Sequence, residues 1–289
     1  MSHPVGVIGV GNMGAAMAAR LLERGFQVAV RDVRPEVEKP LIALGARRVA
    51  SPAAIAEVCA SILIVVVDAR QIDEVLSGAA GLLPALGSGH LVLLQSTIAP
   101  ADAARLAGAI HARGALALDA PISGGPARAR AGQLAMMVGG AEAAFERAQF
   151  LFAALAARVF KVGAEPGLGA TMKLVNNLLA GVYLAAGAEA FAIGRAAGLD
   201  AHTMAEVFGA SSGQSWIVSD RLARVLAGDR QPRAQMHILA KDLRLAEDLA
   251  RTVGRATTLG SATSELFAAA MAARLSDADD SALISWAAR

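Results

Sequence analysis

Residues 6–18 read GVIGVGNMGAAMA: a short apolar run, then Gly9-x-Gly11-x-x-Gly14, then the Ala/Met spacing of a helix. Such a glycine motif is weak on its own. One that follows a strand and opens a helix has the context that a dinucleotide-binding turn requires. Gly9 permits the tight turn, Gly11 lets backbone approach a pyrophosphate, and Gly14 lets helix and strand pack closely. The helix N-terminus adds free N–H groups and a partial positive charge for the phosphates. Cofactor contacts are therefore expected along Gly9, Val10, Gly11, Asn12, Met13 and Gly14. Asp32 closes the next apolar run, QVAVRD (27–32). It lies about 20 residues beyond the glycines, where a carboxylate binds the ribose 2′-OH of NAD and repels the 2′-phosphate of NADP. Arg31 and Arg34 flank it and would partly accommodate that phosphate, so NAD is favoured and NADP admitted.

The first half of the chain alternates. Besides VGVIG (5–9) and QVAVRD, strand-like runs occur at SILIVVVD (61–68), HLVLLQ (90–95), ALALD (115–119) and LAMMVGG (134–140). Between them lie stretches of helical spacing such as 13–24 and 101–112. Strands that are apolar throughout are buried on both faces. Their alternation with helices implies an α/β region, a Rossmann-type doubly wound parallel sheet. After residue 163 the strand pattern stops, and GAEPGLG (163–169), with its proline and glycines, marks a joint. A long helix is predicted from 169 to 197, ending at Gly198. The expected organisation is a dinucleotide-binding domain over residues 1–163 and an all-helical domain over 164–289.

Composition bounds the partners. The 289 residues are 55% hydrophobic and 4% aromatic, so a large core must be built from Ala, Leu, Val and Ile. Net charge is +2 with no compact basic run, which leaves no footprint for nucleic acid. Cys59 is the single cysteine, so no disulfide can form within the chain, and a reducing compartment is expected. It is predicted to pack in an Ala-rich helical stretch. The N-terminal residues show no signal-peptide pattern, and the uninterrupted apolar runs fall short of the ~20 residues that span a bilayer. A cytoplasmic protein with no membrane partner is the expectation. His3, His90, His111, His202 and His237 have no metal-ligand spacing, so no metal is expected.

GLGATMKLVNNLLAG (167–181) is helical in pattern yet carries Lys173, Asn176 and Asn177 among small and aliphatic residues. Lys173 and Asn177, four apart, share one helix face, and Asn176 lies close to it. An ammonium placed among apolar groups loses its proton more easily, which suits a general acid or base near neutral pH.

Five segments together carry a resemblance. They are the glycine motif, QSTIAPADAARLA (95–107), DAPISGGPARARAGQLAMMVGG (119–140), GLGATMKLVNNLLAG and LAKDLRLAEDLA (239–250). In this order, nearly end to end, the chain resembles the β-hydroxyacid dehydrogenase family. That family includes 3-hydroxyisobutyrate dehydrogenase, tartronate semialdehyde reductase and L-threonate dehydrogenase. The resemblance implies that Lys173 is the catalytic lysine and that Asn177 hydrogen-bonds the substrate. Ser123, Gly124 and Gly125 would bind the substrate carboxylate, Ser96 and Thr97 would lie beside the nicotinamide, and Lys241 would lie near cofactor and substrate. It also implies a small hydroxy-acid substrate and a homodimer or homotetramer paired through the helical domain. The chain departs from the family in Pro126-Ala127-Arg128-Ala129, where Gly-Ala usually follows Ser-Gly-Gly. Arg128 and Arg130 either alter the pocket rim or lie on a helix surface.

Within the family, VGAEPGLGATMK, the GQSW segment (213–216) and the tail DDSALISWAAR (279–289) resemble the L-threonate dehydrogenase branch. That branch tends to carry His-Gln where this chain has Asn176-Asn177, the form found in 3-hydroxyisobutyrate dehydrogenase. A four-carbon sugar acid is the first expectation and 3-hydroxyisobutyrate the second. Imine reductases share the architecture but usually replace the lysine, and 6-phosphogluconate dehydrogenases have a much longer C-terminal region. An NAD-binding scaffold protein on this fold would be expected to lose the lysine.

Overall fold

The computed structural model describes residues 4–288, so His3 lies outside the described residues. The chain alternates β1 (Val5–Ile8), α1 (Asn12–Glu23), β2 (Val28–Arg31), α2 (Pro35–Ala43), β3 (Arg47–Arg48), α3 (Pro52–Val58), β4 (Ser61–Ile64), α4 (Ala69–Ser77), β5 (Leu91–Leu94), α5 (Pro100–His111) and β6 (Leu116–Asp119). It continues through β7 (Ile122–Ser123), α6 (Gly125–Ala131), β8 (Leu134–Gly139), α7 (Glu142–Arg147), α8 (Gln149–Leu155) and β9 (Ala156–Gly163). Helices follow: α9 (Leu168–Ala196), α10 (Ala201–Ala210), α11 (Trp216–Leu226), α12 (Met236–Thr252), α13 (Thr258–Ala270) and α14 (Ala282–Ala287). The chain divides into two compact units between Lys173 and Leu174, inside α9.

In the first unit the sheet order is β3-β2-β1-β4-β5-β6-β8-β7, with β9 against β8. Strands β1 to β6 are parallel, whereas β8 runs antiparallel to β6 and β7, and β9 runs parallel to β8. The winding direction reverses between β1 and β4, and at such a switch point the carboxyl ends of the strands leave a crevice for ligand. Successive residues of a strand face opposite ways. Leu91 and Leu93 thus enter one core layer while Val92 and Leu94 enter the other.

The six expected strands are present. Three others lacked an apolar run to announce them: β3 is Arg-Arg, β7 has two residues, and β9 is exposed or half-buried along its length. The helical placement of Cys59 is corrected. It follows α3 in extended conformation, with its thiol buried and its pKa pushed up to about 11 by that burial.

Helix α9 is long and apolar enough, by length and hydropathy, to resemble a membrane span. Its surface nevertheless divides by helical period. Ala170, Leu174, Leu184 and Ala188 are buried on one side, and Lys173 and Asn177 fall on that same side. Leu168, Met172, Val175, Leu179, Tyr183 and Ile193 form an exposed stripe on the other.

In the second unit, the core of α9 to α14 is locked at its end by buried ion pairs. Arg221 forks onto Asp280 (Nε–Oδ1 2.5 Å, Nη2–Oδ2 3.0 Å), and Arg224 Nη2 lies 3.1 Å from Asp279 Oδ2. Burial, aided by the neighbouring Asp279 charge, pushes the Asp280 carboxyl pKa up, and Arg221 and Arg224 oppose that push. Removing one partner of such a pair strands the other charge. Arg221→Ala is therefore expected to cost about 3–5 kcal/mol in urea denaturation. Arg105→Ala, which breaks exposed pairs with Asp73 and Asp102, is expected to cost no more than about 1 kcal/mol. Equal losses for the two would contradict this account of the lock.

Candidate active site

The glycine turn has the shape that the motif demands. Gly9 sits at φ +85°, and a Cβ there would lie 2.5 Å from the Val65 carbonyl oxygen. On Gly14 a Cβ would fall 1.9 Å from the Gly9 carbonyl oxygen, so only glycine lets α1 start this close to β1. Gly11 differs: the nearest atom to a Cβ there is Arg34 Nη2 at 3.6 Å. That open side leaves the backbone approachable, as a pyrophosphate site requires. No side chain caps α1, so the first-turn N–H groups have the donor character a phosphate requires. These features fit a bound dinucleotide.

Asp32 is joined to this turn. Its Oδ2 accepts from the Val10 N–H at 2.8 Å, and its Oδ1 accepts from the Arg34 N–H at 3.0 Å. The carboxylate is 7% exposed, so it is not a solvated strand end. Oδ1 also has Arg34 Nε at 3.4 Å, whereas Oδ2 keeps a further lone pair, which leaves an acceptor for a ribose hydroxyl. Ser96 donates to the Val66 carbonyl oxygen at 2.7 Å, tying the loop after β5 to the loop after β4. Thr97, the next residue, is half-buried.

Ser123, Gly124 and Gly125 form the turn between β7 and α6. Gly124 has φ +132° and Gly125 φ +75°, so the turn runs through a left-handed region that side chains resist. Arg130 pairs with Glu23 of α1, which directs it along the helix surface, and Arg128 is exposed on the same short helix.

A residue that sequence reasoning missed fixes α9. Asp119, at the end of β6, accepts from the N–H of Gly167 (2.9 Å) and of Ala170 (2.7 Å) with its Oδ2. It serves as an N-terminal cap supplied from 48 residues away, favoured by the positive end of the helix dipole. Gly169 makes the approach possible: a Cβ on it would lie 2.5 Å from the Asp119 carbonyl oxygen and 2.7 Å from that of Met137. Lys173 is one turn further along and 7% exposed. Its place relative to the sheet therefore follows from this clamp. The only signal in the sequence was an acidic residue closing an apolar strand, as Asp32 does.

Asn177 is 8% exposed and belongs to a chain of polar contacts in the second unit. Its Nδ2 donates to Asp242 Oδ2 at 2.6 Å, and its Oδ1 accepts from Asn176 at 3.2 Å. Lys241 Nζ lies 2.8 Å from Asp242 Oδ1. The structure thus brings Asn176, Asn177, Lys241 and Asp242 together. His237, on α12, donates from Nδ1 to the Ser276 carbonyl oxygen at 3.0 Å and so serves the packing of the 276–277 segment. Trp216 is 47% exposed and not a core residue.

Burial raises the Asp119 carboxyl to about 6, against the lowering effect of its three backbone donors at Gly167, Gly169 and Ala170. The folded value lies above the unfolded one, so the native state holds the extra proton between them. The contribution of Asp119 to stability is full below pH ~4 and lost as pH rises through about 6. The stability of the wild type minus that of Asp119→Asn is expected to fall by about 3 kcal/mol from pH 4 to 8. Urea unfolding of both proteins across that range is the measurement; a flat difference contradicts the buried charge.

Comparison with known proteins agrees along the whole chain. A family model described as the NAD binding domain of 6-phosphogluconate dehydrogenase matches residues 4–163. Another, described as NAD-binding of NADP-dependent 3-hydroxyisobutyrate dehydrogenase, matches residues 167–287. L-threonate dehydrogenase of Cupriavidus necator is 40% identical over 98% of this chain and 96% of its own length. The mitochondrial 3-hydroxyisobutyrate dehydrogenase of Bos taurus is 36% identical over 91% of this chain and 80% of its own. A crystal structure described as 3-hydroxyisobutyrate dehydrogenase from Salmonella typhimurium superposes with a TM-score of 0.91 at 36% identity, covering 98% of this chain and 99% of that one.

Proposed function

The chain belongs to the β-hydroxyacid dehydrogenase family, and from that premise we propose that this NAD(P)-dependent oxidoreductase oxidises an L-threonate-like four-carbon sugar acid, with Lys173 as acid/base. The observation that carries the reading is the burial of Lys173 on the inner face of α9, one turn beyond the Asp119 clamp and one turn before Asn177. A lysine at such a site serves proton transfer better than packing.

Gly9, Val10, Gly11, Asn12, Met13 and Gly14 hold the dinucleotide, with Asp32 at its ribose and Thr97 and Lys241 near its reacting end. When bound, the nicotinamide supplies the hydride acceptor. The residues of the chain do the rest. Ser123 and the N–H groups of Gly124 and Gly125 hold the substrate carboxylate. Lys173 takes the proton of the substrate hydroxyl as it is oxidised and returns it in the reverse direction. Asn177 keeps one amide N–H beyond the bond to Asp242, and it orients the hydroxyl toward the lysine.

Residues 1–163 form the dinucleotide-binding domain in this reading, and 164–289 the substrate and dimerisation domain. The exposed stripe on α9 supports a homodimer or homotetramer: six large apolar side chains on one helix face exceed what a lone surface usually shows. A cytoplasmic enzyme acting on a small polar acid completes the proposal. The second reading is 3-hydroxyisobutyrate, favoured by the identity of the Asn176-Asn177 pair, which takes the form found in 3-hydroxyisobutyrate dehydrogenase.

Two measurements test this. Lys173→Ala is expected to fold, to keep its cofactor affinity and to lose kcat by roughly 10²–10⁴-fold; near-normal kcat would remove the lysine from the mechanism. A panel of L-threonate, D-glycerate, 3-hydroxyisobutyrate, L-serine and 6-phosphogluconate, each with NAD and then NADP, is expected to give the highest kcat/KM with L-threonate. Reduction of neither cofactor by any of them would overturn the hydroxy-acid reading.

A further inference from the structure

The end of β2 carries more charge than an NAD site needs. Arg31, Arg34 and Arg48 converge there on two acidic residues, Asp32 and Glu38. Glu38 lies in α2 and is fully buried. Its Oε1 accepts from the Asp32 N–H at 2.7 Å and lies 3.4 Å from Arg31 Nη1, while its Oε2 lies 2.6 Å from Arg48 Nε. One carboxylate therefore engages two guanidinium groups and the backbone of the ribose-binding residue. Arg34 Nε is 3.4 Å from Asp32 Oδ1, and its guanidinium lies over Gly11.

The three arginines occupy the place where a 2′-phosphate would seek cations. Their availability depends on their counter-ions. A guanidinium already paired to a buried carboxylate offers a phosphate little net charge, and the carboxylate repels the phosphate directly. Arg48 is half-exposed, so only the pairing, not its position, keeps its charge from solvent-borne anions.

We propose that Glu38 is the residue that sets cofactor preference: as the shared buried counter-ion of Arg31 and Arg48, it withholds both from a 2′-phosphate and tilts the site toward NAD. Glu38 acts through its neighbours and not by touching the cofactor. Replacing Glu38 by its neutral isostere keeps an acceptor for the Asp32 N–H and leaves Arg31 and Arg48 without their shared counter-charge, although Arg31 still donates to the Asp32 carbonyl oxygen. Removing Arg48 does the opposite, since it uncovers the carboxylate. The inference rests on dinucleotide binding at the glycine turn.

The test is the Kd of NAD⁺ and of NADP⁺, measured by calorimetry at low and moderate salt on the full-length wild type, Glu38→Gln and Arg48→Gln. In Glu38→Gln the NADP⁺ affinity is expected to rise about tenfold relative to that for NAD⁺, and the gain to shrink with salt. In Arg48→Gln, which alters a half-exposed residue and so tests the idea even if the first variant does not fold, NADP⁺ is expected to weaken several-fold with NAD⁺ unchanged. Equal factors for both cofactors in either folded variant would make Glu38 a purely structural residue and overturn the proposal. Binding of neither cofactor by the wild type would instead overturn the dinucleotide reading on which it stands.

Discussion

The contact between the Asp119 carboxylate and the first turn of α9 is the constraint on which the candidate site depends. A helix that leaves a sheet through a glycine-rich joint has many exits open to it. Here the donors of its first turn meet a buried acceptor at the end of β6, and Gly169 lets the backbones come close enough for the bonds to form. The start of α9, and with it the place of Lys173 within the first unit, follows from where that carboxylate stands. Burying an ionised carboxyl is costly, and its pKa near 6 records how incompletely the backbone donors offset the cost. A cheaper cap was available from a local serine or asparagine. The long-range acid couples the helix to the strand end, which a local cap would not do.

The same device recurs at the other end of the crevice. Asp32 accepts from the Val10 N–H of the glycine turn, so the end of the second strand is tied to the loop that opens α1. Glu38 in turn holds the Asp32 N–H. Buried carboxylates accepting backbone N–H groups thus organise both the cofactor turn and the helix of the proposed catalytic lysine. In each case the acid lies far in sequence from what it holds.

That distance explains what the sequence made legible and what it did not. The strand, glycine turn and helix of residues 5–23 follow from neighbours along the chain, and so do the apolar runs of β4, β5 and β8. The face shared by Lys173 and Asn177 follows from helical period alone. Asp119 was readable only as an acidic strand end, because its partners are 48 and 51 residues on. Glu38 was invisible for a similar reason: nothing in a polar helix start announces that one glutamate turns inward to meet arginines from two strands. Strands β3, β7 and β9 escaped notice because they are very short or carry little buried surface. Cys59 was placed in a helix by its alanine-rich surroundings, yet the chain had already turned toward β4.

Asn176 carries no proposed chemistry, but its hydrogen bond to Asn177 has a consequence for how substitutions combine. Asn177 is held from two sides, by Asn176 on its own helix and by Asp242 on α12, and Asp242 is held in turn by Lys241. Residues that share one network of contacts do not respond independently. The effects of changes at positions 176, 177, 241 and 242 are therefore non-additive, and the four side chains behave as one unit rather than as separate sites.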